Sequence, residues 1–227
     1  MREIVLDTET TGFDPESGDR IVEIGGVELF NHVATGRTYH QYINPERSMP
    51  KEAFEVHGLG DDFLRDKPRF AEVGQAFLDF VGDAKMVIHN AAFDMKFLNA
   101  ELGWMNLPKL PREQAIDTLE IARKRFPGSP ASLDALCRRF GIDNTARTLH
   151  GALLDSEILA EVYLELIGGR QPDFGLASTS RQNGSTGDNW RPAPRSNALP
   201  SRITQQEREA HDSFVAKLGK DALWSRA

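Results

Sequence analysis

Short apolar runs open the chain and indicate β-strands. The runs at residues 3–7, 21–30 and 39–43 are rich in β-branched, aromatic and other apolar residues. Gly25 and Gly26 interrupt the second run, which indicates a β-bulge or the close approach of another backbone segment. The first part of the chain is therefore predicted to contribute three strands.

Helical spacing of apolar residues begins near residue 70. Four residues recur as one face of a helix: Phe70, Val73, Phe77 and Val81. A short buried strand is predicted at 86–88, and helices are predicted at about 92–102, 118–125, 132–140 and 151–167. Three opening strands followed by alternating helices and strands indicate an α/β domain with a mixed sheet.

The composition changes after residue 169. Residues 170–203 are rich in Arg, Asn, Ser, Pro and Gly, which predicts a flexible linker between a domain at 1–169 and a tail at 204–227. The tail opens with a capping box, and Ala210, Phe214 and Leu218 form one apolar stripe. Such a helix has too little surface to bury alone. We favour its docking on another protein over its folding back onto its own domain.

The domain and the tail differ in charge. Residues 1–169 hold 18 Lys and Arg against 28 Asp and Glu, a net charge of −10, whereas residues 170–227 hold 9 against 6, a net charge of +3. Affinity for nucleic acid usually depends on basic residues that neutralise phosphates. If the domain acts on DNA, metal ions must supply much of the positive charge, and a partner must deliver the strand.

The chain shows neither disulfide chemistry nor a membrane signal. Its single cysteine, Cys137, lies in a predicted helix as a small buried residue, which excludes an intrachain disulfide and a thiolate zinc cluster. The first residues enter a strand without a signal-peptide pattern, and no apolar stretch approaches the roughly 18 residues of a membrane span. We therefore expect a cytoplasmic protein without a membrane partner.

Four acids and one histidine carry the candidate chemistry: Asp7, Glu9, Asp94, His150 and Asp155. Four carboxylates that converge would repel each other unless divalent cations held them together. A histidine beside them is a ready proton acceptor near neutral pH. The set indicates a two-metal site that cleaves phosphodiesters, and hence a nuclease.

Each acid also has a plainer interpretation. Asp7 and Glu9 are two residues apart on a strand, so their side chains leave the same face, but solvated acids are common at strand ends. Asp94 falls in the first turn of a helix, where an acid can simply complement the helix dipole.

The spacing of His150 and Asp155 restricts their geometry. Five residues on a continuous helix correspond to about 140° around its axis, so the two side chains would not share a face. They converge only if His150 lies in the loop that enters the helix and Asp155 lies one turn inside. A histidine at a helix start, taken alone, is more often structural.

Three motifs together resemble the DEDD exonuclease family, histidine subtype. They are Asp-Thr-Glu-Thr-Thr-Gly at 7–12, His-Asn-Ala-Ala-Phe-Asp at 89–94, and His150 followed by Asp155. Segments 52–58, 132–137 and 148–155 extend the likeness to the proofreading 3′→5′ exonuclease subunits of bacterial DNA polymerase III, over about residues 3–169. The resemblance implies an RNase H-like fold and two Mg²⁺ or Mn²⁺ ions.

The resemblance also implies roles for individual residues. Asp7, Glu9 and Asp155 would hold the first metal ion and lie close to the substrate. Asp7 would bridge to a second ion supported by Asp94, and His150 would be the general base. Glu52 and His57 match positions that contact the terminal nucleotide of the DNA 3′ end; without the resemblance they would be an ordinary loop acid and loop histidine.

The linker contains a candidate clamp-binding peptide at residues 171–176. Its residues Gln171, Asp173, Phe174 and Leu176 resemble the short segment by which polymerase-associated proteins bind the sliding clamp. The resemblance further implies that the tail binds the polymerase catalytic (alpha) subunit, and it leaves room for a small accessory subunit.

Two other functions remain open at this point. One is a free-standing DEDD exonuclease that trims RNA 3′ ends or degrades single-stranded DNA, although such an enzyme has no evident use for a clamp peptide and a docking helix. The other is a structural bridge between polymerase and clamp with a vestigial nuclease site, against which all five candidate residues are intact.

Overall fold

A computed structural model describes most of the chain: residues 1–145, 147, 149–169 and 203–218. The chain divides into two compact units, residues 1–175 and 176–227. The candidate clamp peptide at 171–176 lies outside the described residues.

Five strands form one mixed sheet in the first unit: β1 (Arg2–Thr10), β2 (Ile21–Phe30), β3 (Val33–Tyr42), β4 (Lys85–Ile88) and β5 (Ala115–Asp117). Their order is β3-β2-β1-β4-β5; the first three are antiparallel, and β4 and β5 join in parallel. The predicted mixed-sheet α/β architecture is confirmed. The third strand begins earlier than predicted because it forms a hairpin with β2, and the three-residue β5 was not predicted.

Among the described residues, this unit has seven α-helices: α1 (Lys51–His57), α2 (Asp61–Leu64), α3 (Phe70–Val81), α4 (Ala91–Trp104), α5 (Thr118–Arg125), α6 (Leu133–Phe140) and α7 (Ala152–Leu166). The short helices α1 and α2 were not predicted, and Glu52 and His57 lie on α1 rather than in a loop. In the second unit, α8 (Gln205–Lys217) begins with the predicted capping box between Thr204 and Glu207.

The sheet separates two apolar cores. Ile4 and Leu6 of β1 pack in the core that includes α3 and α4, whereas Val5 packs in the core that includes α6 and α7. Since side chains alternate along a strand, Asp7 and Glu9 continue the face of Val5, and Thr8 continues the face of Leu6. The strand thus directs its two acids toward the side of α7.

The first turn of α7 lies directly on β2. A Cβ atom built on Gly25 would lie 2.2 Å from the backbone of Ala152 and Leu153, so the predicted close backbone approach occurs here. The buried Glu23 carboxylate accepts a hydrogen bond from the Ala152 N–H at 3.1 Å, and the Ser156 hydroxyl donates to the Gly25 carbonyl at 3.1 Å. These contacts fix the start of α7 relative to the sheet.

Within the part of the chain that the structure describes, no helix has both the length and the apolar character that crossing a membrane requires.

Replacing Gly25 with alanine should displace the first turn of α7, because the added methyl group meets backbone rather than a flexible side chain. We expect Gly25→Ala to lower the free energy of unfolding by about 3 kcal/mol or more, measured by urea denaturation. Gly26→Ala is the matched control, since its Cβ would meet atoms at 3.4 Å or beyond. Equal stability of the two variants would contradict this account of the contact.

Candidate active site

Asp7 and Glu9 lie at the carboxyl end of β1 on the face directed toward α7. Glu9 is buried, and Asp7 is partly buried. Glu9 is paired across the sheet with Glu23 of β2, the residue that caps α7. Two metal-ligand candidates and a helix-capping acid are therefore concentrated in a small region of the sheet.

Asp94 approaches the same end of β1 from the other face of the sheet. It lies in the first turn of α4, is 3% exposed, and its Oδ1 accepts a hydrogen bond from the Thr8 hydroxyl at 2.7 Å. The start of α4 is fixed by Asp117, whose carboxylate accepts from the N–H groups of Asn90 and Ala91 at 3.1 and 3.2 Å. Asp117 follows no apolar run, so the sequence pattern gave no sign of this role.

Asp155 and His150 come from the entry to α7. Asp155 is 2% exposed in the first turn of the helix, and His150 precedes the N-cap residue Gly151. The His150 N–H donates to the Val56 carbonyl of α1 at 3.1 Å, which ties the loop to α1. Possible ligand atoms of Glu9, His150 and Asp155 all lie within 4.8 Å of one another.

The buried carboxylates oppose one another's ionisation. Burial, together with the charges of Asp94, Glu9 and Asp155, raises the pKa of Asp7. Burial and the nearby carboxylates of Asp155 and Glu23 raise the pKa of Glu9 to about 8. Burial likewise raises the pKa of Asp94 to about 7. The four acids thus act on one another electrostatically, as convergence at a single site requires.

Asp155 behaves differently from the other three acids. Burial opposes its ionisation, but contacts with His150 and Arg147 outweigh that effect and lower the pKa of Asp155. The Arg147 guanidinium contacts both Asp155 oxygens, at 2.5 and 2.8 Å. Arg147 lies close to the predicted motif, yet sequence reasoning did not select it, because a single arginine in a loop carries no periodic or spacing signal.

His57 and Glu52 occupy opposite ends of α1. His57 is 6% exposed, and its Nδ1 accepts from the Leu59 N–H at 3.0 Å. Its Nε2 is buried and has no hydrogen-bond partner among the described residues. Burial lowers the pKa of His57, and nearby His150 adds to the effect. The Thr10 backbone lies close enough to favour the protonated form of the ring and so to oppose this lowering of the pKa. Glu52 is exposed in the first turn of α1.

An exposed aromatic residue, Phe13, lies in the turn that leaves β1. It is 85% exposed and follows Glu9 by four residues. The sequence pattern did not select it, because an isolated aromatic residue in a turn resembles many surface residues.

The donor set suits hard divalent cations. Four carboxylates supply oxygen ligands of the kind that Mg²⁺ and Mn²⁺ prefer. Without a cation, the pKa values of Asp7, Glu9 and Asp94 are raised, whereas Asp155 is ionised beside a guanidinium. A cation bound among these groups would relieve their mutual repulsion, so the residues present fit such ions.

Comparison with known proteins first defines the class. Residues 4–163 match the family model described as Exonuclease. This match covers more than half of the chain, and the chain therefore belongs to that exonuclease family. Its RNase H-like fold, with a mixed sheet flanked by helices, is the one expected from the sequence motifs.

Full-length relatives narrow the family further. The chain is 48% identical over 226 residues to DNA polymerase III subunit epsilon of Rickettsia felis, covering 98% of this chain and 99% of the relative. It is 44% identical over 235 residues to the protein of the same name from Escherichia coli, covering 98% and 97% of the two chains. The chain is thus a member of the DNA polymerase III epsilon-subunit family.

Solved structures agree in fold. The chain resembles exonuclease X in complex with 5′-overhanging duplex DNA, with 27% identity, a TM-score of 0.58, and coverage of 73% of this chain and 90% of the other. It also resembles the nuclease domain of 3′hExo, a DEDDh family member bound to rAMP, with 22% identity, a TM-score of 0.63, and coverage of 73% and 91%. The second likeness supports the fold alone.

The raised pKa values of Glu9 and Asp94 predict how stability depends on pH without metal. The pKa values of Glu9 and Asp94 are 4.5 and 3.8 in the unfolded chain, and they are about 8 and about 7 in the folded protein. Between these values the folded protein binds more protons than the unfolded chain. These two groups therefore stabilise the fold most at low pH, and this contribution is lost as the pH rises to about 8. In EDTA, the melting temperature of the wild type minus that of Glu9→Gln should be lower at pH 8 than at pH 5. A constant difference would contradict the assignment.

Proposed function

We propose that the protein is the proofreading 3′→5′ exonuclease subunit of a replicative DNA polymerase, and that it removes mismatched 3′-terminal nucleotides as 5′-monophosphates. The main support is the clustering of Glu9, His150 and Asp155 within 4.8 Å, beside Asp7 and Asp94, in a chain of the epsilon-subunit family. A free-standing exonuclease for RNA or single-stranded DNA 3′ ends is the alternative that the substrate test must exclude.

Two divalent ions, Mg²⁺ or Mn²⁺, fit the four acids. Asp7, Glu9 and Asp155 would hold one ion, and Asp7 and Asp94 would hold the second. When bound, such ions supply positive charge that stabilises the attacking and leaving oxygens of the phosphodiester. This role is consistent with the net charge of −10 on residues 1–169.

His150 is the proposed general base. Its ring is 47% exposed, so it can reach a water molecule near the scissile phosphate, while the backbone contact to Val56 holds its loop against α1. It would take a proton from the attacking water, whose oxygen bonds to phosphorus as the bond from phosphorus to the 3′ oxygen breaks. The departing 3′ oxygen would take a proton from solvent. A neutral imidazole is a proton acceptor suited to general-base catalysis.

Three further residues would bind the terminal nucleotide. His57 and Glu52 both lie on α1, the helix whose Val56 carbonyl accepts from the backbone N–H of His150. Phe13 offers an exposed ring on which a base can stack, a contact worth about 1–3 kcal/mol per base in single-strand binders. We add Phe13 to the substrate-binding residues expected from the sequence.

The tail would bring the nuclease to its substrate. Phe214 of α8 is 61% exposed and the C-cap residue Leu218 is 47% exposed, and both belong to the predicted apolar stripe. We propose that this stripe binds the polymerase catalytic subunit, and that Gln171, Asp173, Phe174 and Leu176 bind the sliding clamp. We also propose that the domain ends at residue 169 and the linker at residue 203. The same proposal includes binding of a small accessory subunit and a cytoplasmic location.

The first test is cleavage of a labelled DNA primer in Mg²⁺ or Mn²⁺. The wild type should shorten it from the 3′ end, and faster with a terminal mismatch, because a frayed end lowers the cost of unpairing. Asp7→Asn should abolish cleavage, and His150→Gln should slow it by about 10²- to 10⁴-fold.

Glu157→Gln is the matched control, since Glu157 is an exposed acid on the same helix as Asp155. Its rate should equal that of the wild type. Retained activity in Asp7→Asn would refute the site, and equal rates on RNA and DNA would favour the free-standing exonuclease.

The second test separates the two proposed tail contacts in the full chain. Phe214→Asp should abolish capture of the polymerase subunit because it places a charge in the apolar stripe, while clamp binding persists. A Gln171→Ala/Phe174→Ala double variant should show the opposite pattern. Asp212→Ser, on the other face of α8, is the control. Undiminished polymerase capture by Phe214→Asp would show that the stripe is not the docking surface.

A further inference from the structure

Arg147 places a positive charge among the catalytic acids. Its side chain is only 10% exposed, and its guanidinium contacts Asp155 at 2.5 Å through Nε and at 2.8 Å through Nη2. Its Nη1 contacts Asp134 at 2.9 Å, so one guanidinium joins a buried acid to a half-exposed one. Such forked contacts are among the strongest that a carboxylate makes.

This position conflicts with a divalent cation held by Asp155. Both Asp155 oxygens already accept from Arg147, whereas the proposed metal site needs at least one of them. A guanidinium and a divalent cation that share one carboxylate would also repel each other at close range. The two positive groups are therefore competitors for Asp155.

Arg147 also engages the proposed general base. Its Nη2 lies 2.8 Å from His150 Nδ1, while Asp155 Oδ2 lies 3.3 Å from the same nitrogen. The same Nη2 lies 3.4 Å from His150 Nε2. The guanidinium therefore lies against the His150 ring beside both ring nitrogens, on the side that faces Asp155.

The structure offers Arg147 a place to move. An open cleft of about 390 Å³ borders the site, and Glu55, Asp134, Arg147 and His150 are among the residues that line it. Asp134 is 46% exposed and Glu55 is 63% exposed, so both acids can pair with a guanidinium there. Arg147 can leave Asp155 while it keeps its contact with Asp134.

We propose that Arg147 is a positioning residue that serves as an exchangeable counter-cation. Its guanidinium neutralises Asp155 and covers one side of the His150 ring. With a divalent ion held by Asp155, the guanidinium would shift toward Asp134 and the cleft, and it would uncover His150. Metal binding and release of the base are thereby coupled. The inference rests on the proposed metal site at Asp155.

The test compares Arg147→Gln, Arg147→Lys and the control Arg138→Gln in the full chain, where Arg138 is an exposed arginine of nearby α6. Thermal unfolding in EDTA and Mn²⁺ titration followed by electron paramagnetic resonance are the readouts. Arg147→Gln should melt at a lower temperature without metal and bind Mn²⁺ about tenfold more tightly, because no guanidinium must be displaced. Arg147→Lys should be intermediate, and Arg138→Gln should match the wild type.

The outcomes separate this proposal from the metal site itself. A wild type that binds Mn²⁺, with equal or weaker binding by Arg147→Gln, overturns the role of Arg147 alone. A wild type that binds no Mn²⁺ overturns both proposals. If Arg147→Gln does not fold, the wild type still decides: Mg²⁺ should change the ¹⁵N chemical shift of His150 Nδ1, and an unchanged shift overturns the coupling.

Discussion

The close contact between α7 and β2 at Gly25 is the constraint on which the active site depends. Asp155 and the loop of His150 belong to the entry of α7, whereas Asp7 and Glu9 belong to β1, the strand beside β2. The missing side chain of Gly25, the Glu23 cap and the Ser156 hydrogen bond hold these parts together. If α7 lay farther from β2, the acids of β1 and the residues at the start of α7 would no longer share one site.

This geometry brings carboxylates close together, and several groups reduce the repulsion between them. The pKa values of Asp7, Glu9 and Asp94 are raised, so protons take part of the role of a cation, and Asp155 keeps its charge beside Arg147. Under the two proposals, divalent ions would replace these protons and the guanidinium. Metal binding would then also rearrange the charges around His150.

Periodicity predicted the mixed sheet and the long helices, since both depend on apolar faces that recur along the chain. The spacing of His150 and Asp155 also predicted that the histidine precedes the helix, as observed. The sequence pattern did not reveal β5 or α1, which are too short to carry a period. Nor did it reveal Glu23, Asp117 and Arg147, because their roles come from contacts with residues distant in the fold or from a single loop side chain.

The central claim is that the four acids of this epsilon-family chain hold two divalent ions at the end of β1. Anomalous diffraction at the manganese edge, from crystals soaked with Mn²⁺ and a deoxynucleoside 5′-monophosphate, tests it most directly. We expect two peaks within ligand distance of these carboxylates, about 2.0–2.2 Å, with Asp7 shared between them. The absence of any peak at Asp7 and Asp155, or peaks only elsewhere on the surface, would contradict it.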